Sequence, residues 1–387
     1  MCSQALKTID DEDSAPLDLW KSTSEPRDLR ALSLAYRNAA MMCLSQDQFL
    51  VRQNLSTLET LLILIHTISD GEGAENGWIL LGNALNIGVA LRCHKDSGHL
   101  NTIDRERRRR CWAGIQILHT YQALLFRDMD LSVLCNIKAE MPADANDDDI
   151  REDVILAPRP SSFLPQTTQM TFMRHRIRIF ELSTRICAHI CGPDRLDKRL
   201  LNRFDEAIAQ EEQLWNSIYL VNGARSILDP SSYAQLCILQ TYAHQLYLLI
   251  HRPFHNNYLK QFESKSRERC ITSSLALIDV HRQFCELPRF KGYRWLANGT
   301  LTCNVVHGAV ALTSCIFDSR TDPDFDSYLA VIDAAIQRLY LISYGEIKRR
   351  RQAPTLSEKA LTTGYQVLTG SDLKTSIGLV QISNLSK

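Results

Sequence analysis

The chain has 387 residues, and its 44 lysines and arginines balance 44 aspartates and glutamates, so the formal net charge at neutral pH is zero. This balance argues against a generally basic protein that binds nucleic acid through many phosphate contacts. Hydrophobic residues make up 45% and charged residues 23%, which excludes a largely disordered chain and allows a large core. The 16 glycines and 12 prolines are few for this length and favour long helices over a many-turned β fold.

The first part of the chain predicts helices that follow a polar start. Residues 1–27 are acidic and then rich in Ser, Pro and Lys, and we interpret them as a disordered lead-in. Apolar residues then recur at helical spacing from residue 30 to 43, and Ser56 with Glu59 has the form of a capping box for a helix over 56–69. Residues 78–91 are apolar around most of the helix circumference, which predicts a helix in the middle of a bundle.

A long helix predicted over residues 103–126 opens with a basic cluster, the string Arg-Glu-Arg-Arg-Arg-Arg at residues 105–110. Two interpretations are open for it: an exposed patch for nuclear import or phosphate contact, and a structural helix whose arginines point in different directions. Because Cys111 and Trp112 continue the same helix into an apolar pattern, we favour the structural interpretation.

The second part of the chain follows an acidic segment and a proline-rich connector. Residues 142–153 are strongly acidic, and Pro158, Pro160 and Pro165 make residues 157–169 an extended connector and a sub-boundary within the main domain. Helices are then predicted over 170–192, 196–220, 231–251, 260–286, 294–318 and 325–348. The fold class is therefore all-α, a multi-helix bundle in one domain over residues 28–350, with a C-terminal tail over 351–387. We find no apolar run long enough to span a membrane.

The 12 cysteines are spread through the predicted helices and form no tight pairs of the kind that a zinc cluster requires. The N-terminal residues lack the apolar stretch of a secretory signal, so a disulfide framework is not expected. We interpret the cysteines as buried, reduced thiols in a cytosolic or nuclear protein.

The search for catalytic chemistry finds no G-x-S-x-G, H-E-x-x-H or C-x-x-C motif. The acidic string at residues 148–152 has the form of the Mg²⁺-binding motif of terpene synthases, but their second metal motif is absent, which favours a solvated acidic segment. The histidines at 94, 119, 251 and 255 are dispersed along the chain. We therefore predict no catalytic residue, no metal and no cofactor.

Several motifs, in the same order, resemble the fungal-specific transcription factor domain, the middle homology region of zinc binuclear cluster regulators. The helix that ends in Leu91-Arg92-Cys93-His94-Lys95-Asp96 is similar to the family's L-G-L-H-R-D. Further similarities are Glu106 with Arg108, Arg109, Arg110 and Trp112 (E-x-R-R-R-L-W-W), Met141-Pro142 with the aspartates at 147–149, His251-Arg252-Pro253-Phe254 (L-x-x-H-R-P-F), and Ser266 with Cys270 (S-x-x-x-C).

The chain also departs from the family pattern. Arg92 stands where the family has a glycine, His119 stands where it has an aspartate, and residues 127–129 replace its G-R-P. Because glycine is the residue best suited to a left-handed helix cap, we expect the turn before His94 to be built differently. The six cysteines of a zinc cluster are not in the sequence, so we expect a protein without its own DNA-reading module.

The resemblance implies a nuclear or nucleocytoplasmic transcription regulator that controls a fungal gene set, often a metabolic or secondary-metabolite biosynthetic cluster. It implies other regulators or a second copy of the chain as partners through helical surfaces, and a small-molecule inducer. DNA would be reached only indirectly or through a zinc cluster upstream, and no membrane contact is expected. The alternative is a pathway enzyme on the same helical scaffold, with an apolar small-molecule cavity.

The residues that carry the resemblance are expected to be structural. We expect the arginines at 108–110 to pair with the acidic residues 147–149, because the two clusters have opposite charge and are close in the chain. The full set is Arg108, Arg109, Arg110, Trp112, His251, Arg252, Pro253 and Phe254.

Overall fold

The computed structural model describes residues 1–8, 29–72, 74–126, 134, 136–156, 167–191, 196–220, 229–255, 262–317 and 323–352. The regular elements in these ranges are helices, and the β pairing among them is a single antiparallel bridge between Ile150 and Ile155. The predicted all-α class is confirmed. No single helix in the described ranges is both long and apolar enough to cross a membrane.

The chain divides into two compact units, residues 1–322 and residues 323–387. The first unit contains ten described helices: α1 Cys2–Lys7, α2 Leu29–Gln46, α3 Leu55–Glu72, α4 Trp78–Ala90, α5 Thr102–Phe126, α6 Thr171–Cys191, α7 Lys198–Tyr219, α8 Pro230–His251, α9 Ser264–Glu286 and α10 Thr300–Ile316. In the second unit, the structure describes α11, Phe325–Gln352. The predicted helix over 294–318 is in fact two elements, a 3-10 helix Pro288–Asn298 and then α10.

Parts of the predicted domain organisation fall outside the described residues. In the predicted disordered lead-in, the structure has helix α1, and the hydroxyls of Ser3 and Ser33 lie 3.0 Å apart in a buried contact with α2. The rest of the lead-in from residue 9, most of the connector at 157–169, the residues 127–129 and the tail from residue 353 lie outside the described ranges.

Helix α4 packs through one face only, although its sequence predicts a central helix. It buries Leu81, Ala84, Ile87 and Gly88 and leaves Ile79 78% exposed. A Cβ on Gly88 would come within 2.6 Å of the Ile115 side chain, so the glycine permits a close approach to α5. The prediction was wrong because neighbouring helices cover only one face of α4, and apolar residues on its other faces stay exposed.

Helix α8 occupies the central position instead. It packs against α6, α7, α9 and α10, and its buried residues lie on every side of the helix. With α6 and α7 it forms a core that includes Phe204, Trp215 and Tyr219. Polar residues at several of these positions, such as Gln240 and Gln245, hide the central role of α8 from a hydrophobicity pattern.

The start of α3 differs from the predicted capping box. The side chain of Asn54, and not that of Ser56, accepts the Thr57 amide hydrogen bond at 2.9 Å. Asparagine is among the preferred N-cap residues because its short side chain reaches the free amides of the first turn. Glu59 therefore does not cap the helix and is available for a contact with α5.

The end of α4 also contradicts its prediction. Arg92 has φ 54°, the left-handed conformation that a glycine would adopt. The Cys93 amide donates to the Gly88 carbonyl at 2.9 Å, and the Arg92 amide donates to the Val89 carbonyl at 2.9 Å, which is the Schellman pattern. The turn before His94 is therefore built in the usual way, with an arginine in a backbone conformation that costs about 1 kcal/mol relative to glycine.

Most of the described cysteines are core residues, as predicted. Those with buried side chains are Cys93, Cys111, Cys187, Cys237, Cys270 and Cys315. The interpretation is wrong for Cys2, Cys43 and Cys303, whose side chains are exposed. The side chains of Cys135 and Cys191 lie outside the described residues.

Candidate functional site

The basic cluster on α5 binds acceptors within the fold. Arg107 donates two hydrogen bonds to the Glu59 carboxylate on α3, at 2.9 and 2.8 Å. Arg108 donates to the Leu91 carbonyl, one of the free carbonyls at the end of α4. These contacts agree with the structural interpretation of the cluster, since they use the guanidinium groups inside the protein.

The next two arginines bind different acidic residues, three in all. Arg109 makes a two-pronged contact with Asp96 in the loop before α5, with Nε to Oδ1 at 3.0 Å. Arg110 lies between Glu106 at 3.0 Å and Asp147 at 2.5 Å. The predicted pairing with residues 147–149 is thus correct for Arg110 and wrong for Arg108 and Arg109. Successive helical residues point about 100° apart, so one arginine of the three faces that segment.

Glu106 connects α5 to the segment that follows it. Its side chain is 2% exposed, and both carboxylate oxygens accept the Ala143 amide hydrogen bond at 3.1 Å. Its charge is offset by Arg110. We call residues 106–110 the arginine clamp, together with their partners Glu59, Leu91, Asp96, Ala143 and Asp147. The clamp attaches the end of α4, the loop before α5 and the segment after Ala143 to one helix.

The acidic segment forms ordinary hydrogen-bonded turns. Asp149 and Asn146 cap each other around the short helix Asp147–Asp149. Asp144 accepts hydrogen bonds from the hydroxyls of Thr168 and Thr171, at 2.5 and 2.9 Å. Because these carboxylates are engaged with protein donors, the arrangement does not resemble paired metal ligands on one helix face.

Trp112 follows the clamp residues on α5 and lies in the core. Its side chain is 1% exposed, and its ring lies 5.2 Å from that of His94. Burial, together with the charges of Lys95 and Arg92, lowers the pKa of His94 below its ordinary value. The indole N–H of Trp112 is buried and has no hydrogen-bond partner. Such an unpaired donor is uncommon in a folded protein.

A cleft of about 460 Å³ lies beside the clamp, between α5, α6 and residues 137–142. Its volume is within the range of small-molecule sites. Its lining contains both apolar and charged residues and comprises Arg109, Trp112, Ala113, Gln116, Ile137, Lys138, Ala139, Glu140, Met141, Pro142, Ile177, Glu181 and Arg185.

The second group of predicted residues surrounds His251 at the end of α8. Its Nδ1 lies 2.9 Å from the Ser266 hydroxyl on α9, and its Nε2 lies 2.9 Å from Asp205 on α7. Arg252, Pro253 and Phe254 form the 3-10 turn that follows, in which Phe254 is 2% exposed and joins the core. His251 therefore links three helices at one point.

Asp205 carries the charge of this network. Burial would raise its pKa, but the hydrogen bond from His251 and the charge of Arg269 outweigh burial and hold the pKa below its ordinary value. Arg269 also lies over the Tyr247 ring at 4.2 Å, and the Tyr247 hydroxyl donates to Glu212 at 2.7 Å. Burial raises the pKa of Glu212.

The row Ser266, His251 and Asp205 has the residue types of a hydrolase triad. Ser266 is 1% exposed and His251 is 2% exposed, so a substrate cannot reach the hydroxyl. The three residues belong to three packed helices, and each is bonded within the core. The geometry is that of a structural network.

Sequence reasoning did not find the partners of the motif residues. Asp205 lies 46 residues from His251 in the chain and has no local pattern that indicates a role. Asp96 belongs to a family-like motif, but its contact with Arg109 was not predicted. Lys138 and Arg185, which face the cleft, lie in segments without a motif. In each case, the tertiary packing of helices brings the groups together.

Comparison with known proteins gives an independent result. The family model of the fungal specific transcription factor domain matches residues 4–187, which include the arginine clamp and the cleft. The chain is 22% identical over 314 residues to the pyrrolocin cluster transcription factor fsdR of a fungal species, covering 78% of this chain and 40% of the relative. It is 23% identical over 275 residues to the aurofusarin cluster transcription factor aurR2 of Gibberella zeae, covering 70% of this chain and 40% of the relative.

A third relative is an uncharacterized transcriptional regulatory protein of Schizosaccharomyces pombe, 22% identical over 294 residues, which cover 73% of this chain and 43% of the relative. The chain thus spans about two fifths of the length of these relatives. No solved structure matches it. The names of the relatives indicate regulators of transcription and not enzymes.

Proposed function

We propose that the protein regulates transcription of a fungal gene set, a secondary-metabolite biosynthetic cluster, because residues 4–187 match the family model of the fungal specific transcription factor domain. The family match is the observation that carries this proposal, since it includes the clamp with its buried Glu106 and Trp112. The choice of a biosynthetic cluster is supported by two relatives whose names refer to the pyrrolocin and aurofusarin clusters.

The regulatory domain acts through protein partners in this proposal. The arginines at 107–110 are occupied by Glu59, Leu91, Asp96, Glu106 and Asp147, which argues against a role in binding DNA phosphates. DNA would be reached through another regulator or through a zinc cluster outside these 387 residues. The protein would act in the nucleus.

Deletion of the gene tests the proposal directly. Transcripts of a contiguous set of biosynthetic genes should change together in the deletion strain, and the intact gene should restore them. A fluorescent fusion of the full chain should accumulate in the nucleus. Unchanged transcripts under conditions in which the protein is expressed would contradict the proposal.

A second experiment separates regulation from catalysis. The full chain is fused to an unrelated DNA-binding domain and tested on a reporter gene that contains the matching site. A regulator changes reporter expression in either direction, whereas a pathway enzyme leaves it unchanged. The double charge reversal Arg199→Glu with Arg203→Glu lies on the exposed surface of α7 and controls for a changed net charge. Its reporter expression should equal that of the unmodified fusion.

A further inference from the structure

The 3-10 helix Pro288–Asn298 carries positive charge only, and we call it the basic segment. Its cations are Arg289, Lys291 and Arg294, and it contains no acidic residue. The segment is fixed to the core by Phe290, which is buried and stacks on Phe284 of α9 with ring centroids 4.5 Å apart. The Arg294 side chain is exposed and the other two cations are half-buried. The segment therefore presents a basic surface on a rigid support.

The end of α1 lies against the basic segment. The Thr8 carbonyl oxygen is 3.9 Å from the position that a Cβ of Gly292 would occupy. Side chains three residues apart eclipse in a 3-10 helix, so Arg289 lies in the same row as Gly292. Lys291 is the residue before Gly292 and forms a second row with Arg294. The chain that leaves α1 therefore starts beside these cations.

The chain that follows Thr8 is acidic. Residues 10–13 have the sequence Asp-Asp-Glu-Asp, and they lie outside the described ranges. Covalent geometry limits their distance from Thr8, because two residues span at most about 7 Å and three at most about 11 Å. The screening length at physiological ionic strength is about 8 Å. Salt therefore does not fully screen the attraction between the first of these carboxylates and the basic segment.

We propose that the basic segment is a docking surface for an acidic peptide and that residues 10–13 of the same chain occupy it. A single ion pair at the surface contributes little, so docking depends on several charges together and on the short connection to Thr8, which gives the acidic residues a high local concentration. In the docked form they cover the basic segment against an acidic segment of another protein. The proposal does not depend on a role of the protein in transcription.

The acidic side chains that precede the basic segment in the chain offset only part of its charge. Asp279 and Glu286 of α9 both pair with Arg282, at 2.5 and 3.7 Å. These three residues together carry one negative charge, against three positive charges on the basic segment. The remaining positive charge favours an acidic occupant, and residues 10–13 are acidic residues that the chain itself supplies at this point.

Cross-linking of the purified full chain with a water-soluble carbodiimide tests this contact. The reagent joins a lysine amine to a carboxylate that touches it, as an amide with loss of water, and Lys291 is the lysine of the basic segment. After tryptic digestion we expect residues 8–21 linked to residues 290–294, with the new amide between Lys291 and one of residues 10–13. The ion pair of Lys198 and Glu263, at 2.6 Å, is a positive control in the same sample.

Two charge reversals show whether the link depends on the basic segment. Arg294→Glu leaves the amine of Lys291 in place and should lower the yield of the link at least about threefold relative to the control link. The matched variant Arg203→Glu makes the same change of net charge on α7 and should give the yield of the unmodified protein. If melting curves show that Arg294→Glu is not folded, Arg294→Gln takes its place, with an expected loss of about twofold.

Three results would overturn the proposal. The first is a sample in which Lys198 is linked to Glu263 but Lys291 is not linked to residues 10–13. The second is an equal yield from the folded Arg294 variant, since the link would then not depend on charge. The third comes from a mixture of isotope-labelled and unlabelled chains, in which linked peptides of mixed composition would show that a second copy is the occupant. Transcripts of the deletion strain have no bearing on any of these results.

Discussion

Burial of His119 makes the stability of the protein depend on pH. It lies on α5 with 8% of its surface exposed, and burial lowers its pKa from 6.5 to about 4. Its Nε2 has no hydrogen-bond partner, so nothing in the core stabilises the protonated ring. The folded protein therefore strongly prefers the neutral form.

The magnitude follows from linkage between protonation and folding. Because the folded pKa is lower than the unfolded one, the stability from this group is present above about pH 6.5 and is lost as the pH falls toward about 4. With folded and unfolded pKa values of about 4 and 6.5, the unfolded chain gains about 2 kcal/mol from protonation by pH 5. That loss is a large part of the stability of an ordinary domain.

Urea unfolding of the full chain at about pH 7, 6 and 5 measures this contribution. In the variant His119→Leu, which has a similar volume and does not titrate, the loss of stability across the range should shrink by about 2 kcal/mol. The control His99→Gln, in the exposed loop before α5, should keep the slope of the unmodified protein. The reasoning is refuted if His119→Leu loses as much stability between pH 7 and 5 as the unmodified protein.

Three further predictions concern the helix cap, the buried network and the clamp. Arg92→Gly should raise the free energy of unfolding by about 0.5–1 kcal/mol, because glycine adopts the left-handed conformation without strain; a lower melting temperature would contradict this. Asp205→Asn should cost about 1.5–3 kcal/mol near neutral pH, measured by urea unfolding. Since the pKa of Asp205 is depressed, its contribution is present above about pH 4 and is lost below it, so the gap between variant and unmodified protein should narrow in acid; a constant gap would argue against an ionised carboxylate. Arg109→Glu should lower stability by about 1 kcal/mol, and Asp96→Lys in the same chain should restore part of it; an unchanged melting curve for the single variant would show that the contact is unimportant.

The helical class and most helix bounds could be predicted from the sequence, because they follow from spacing, capping and the scarcity of glycine and proline. How deeply each helix is buried in the bundle could not be predicted. The apolar α4 lies at the surface, and the more polar α8 is buried on every side. Burial depends on which neighbours a helix meets, and Gln245 can be buried because Asn304 and His307 on α10 satisfy its side chain.

The candidate site could be predicted only in part, for a similar reason. Arg108, Arg109 and Arg110 were expected to be structural, but the choice of partner for each one depends on the direction of its side chain around α5. The turn at Arg92 shows the opposite case. There the backbone hydrogen bonds of the helix cap outweigh the preference of arginine for a negative φ. The turn therefore forms with a strained backbone at Arg92.

The engagement of the signature arginines changes how their mutations should be interpreted. Removal of Arg110 would leave Glu106 buried with the Ala143 amide alone, which costs stability whatever the role of the protein in transcription. A loss of gene regulation in such a variant therefore reports first on folding. Lys138 and Arg185 differ from them, because they form no ion pair in the described structure and lie at the rim of the cleft. A variant at these two positions that remains folded and alters transcription would report on gene regulation alone. A substitution in the clamp changes the stability of the fold at the same time.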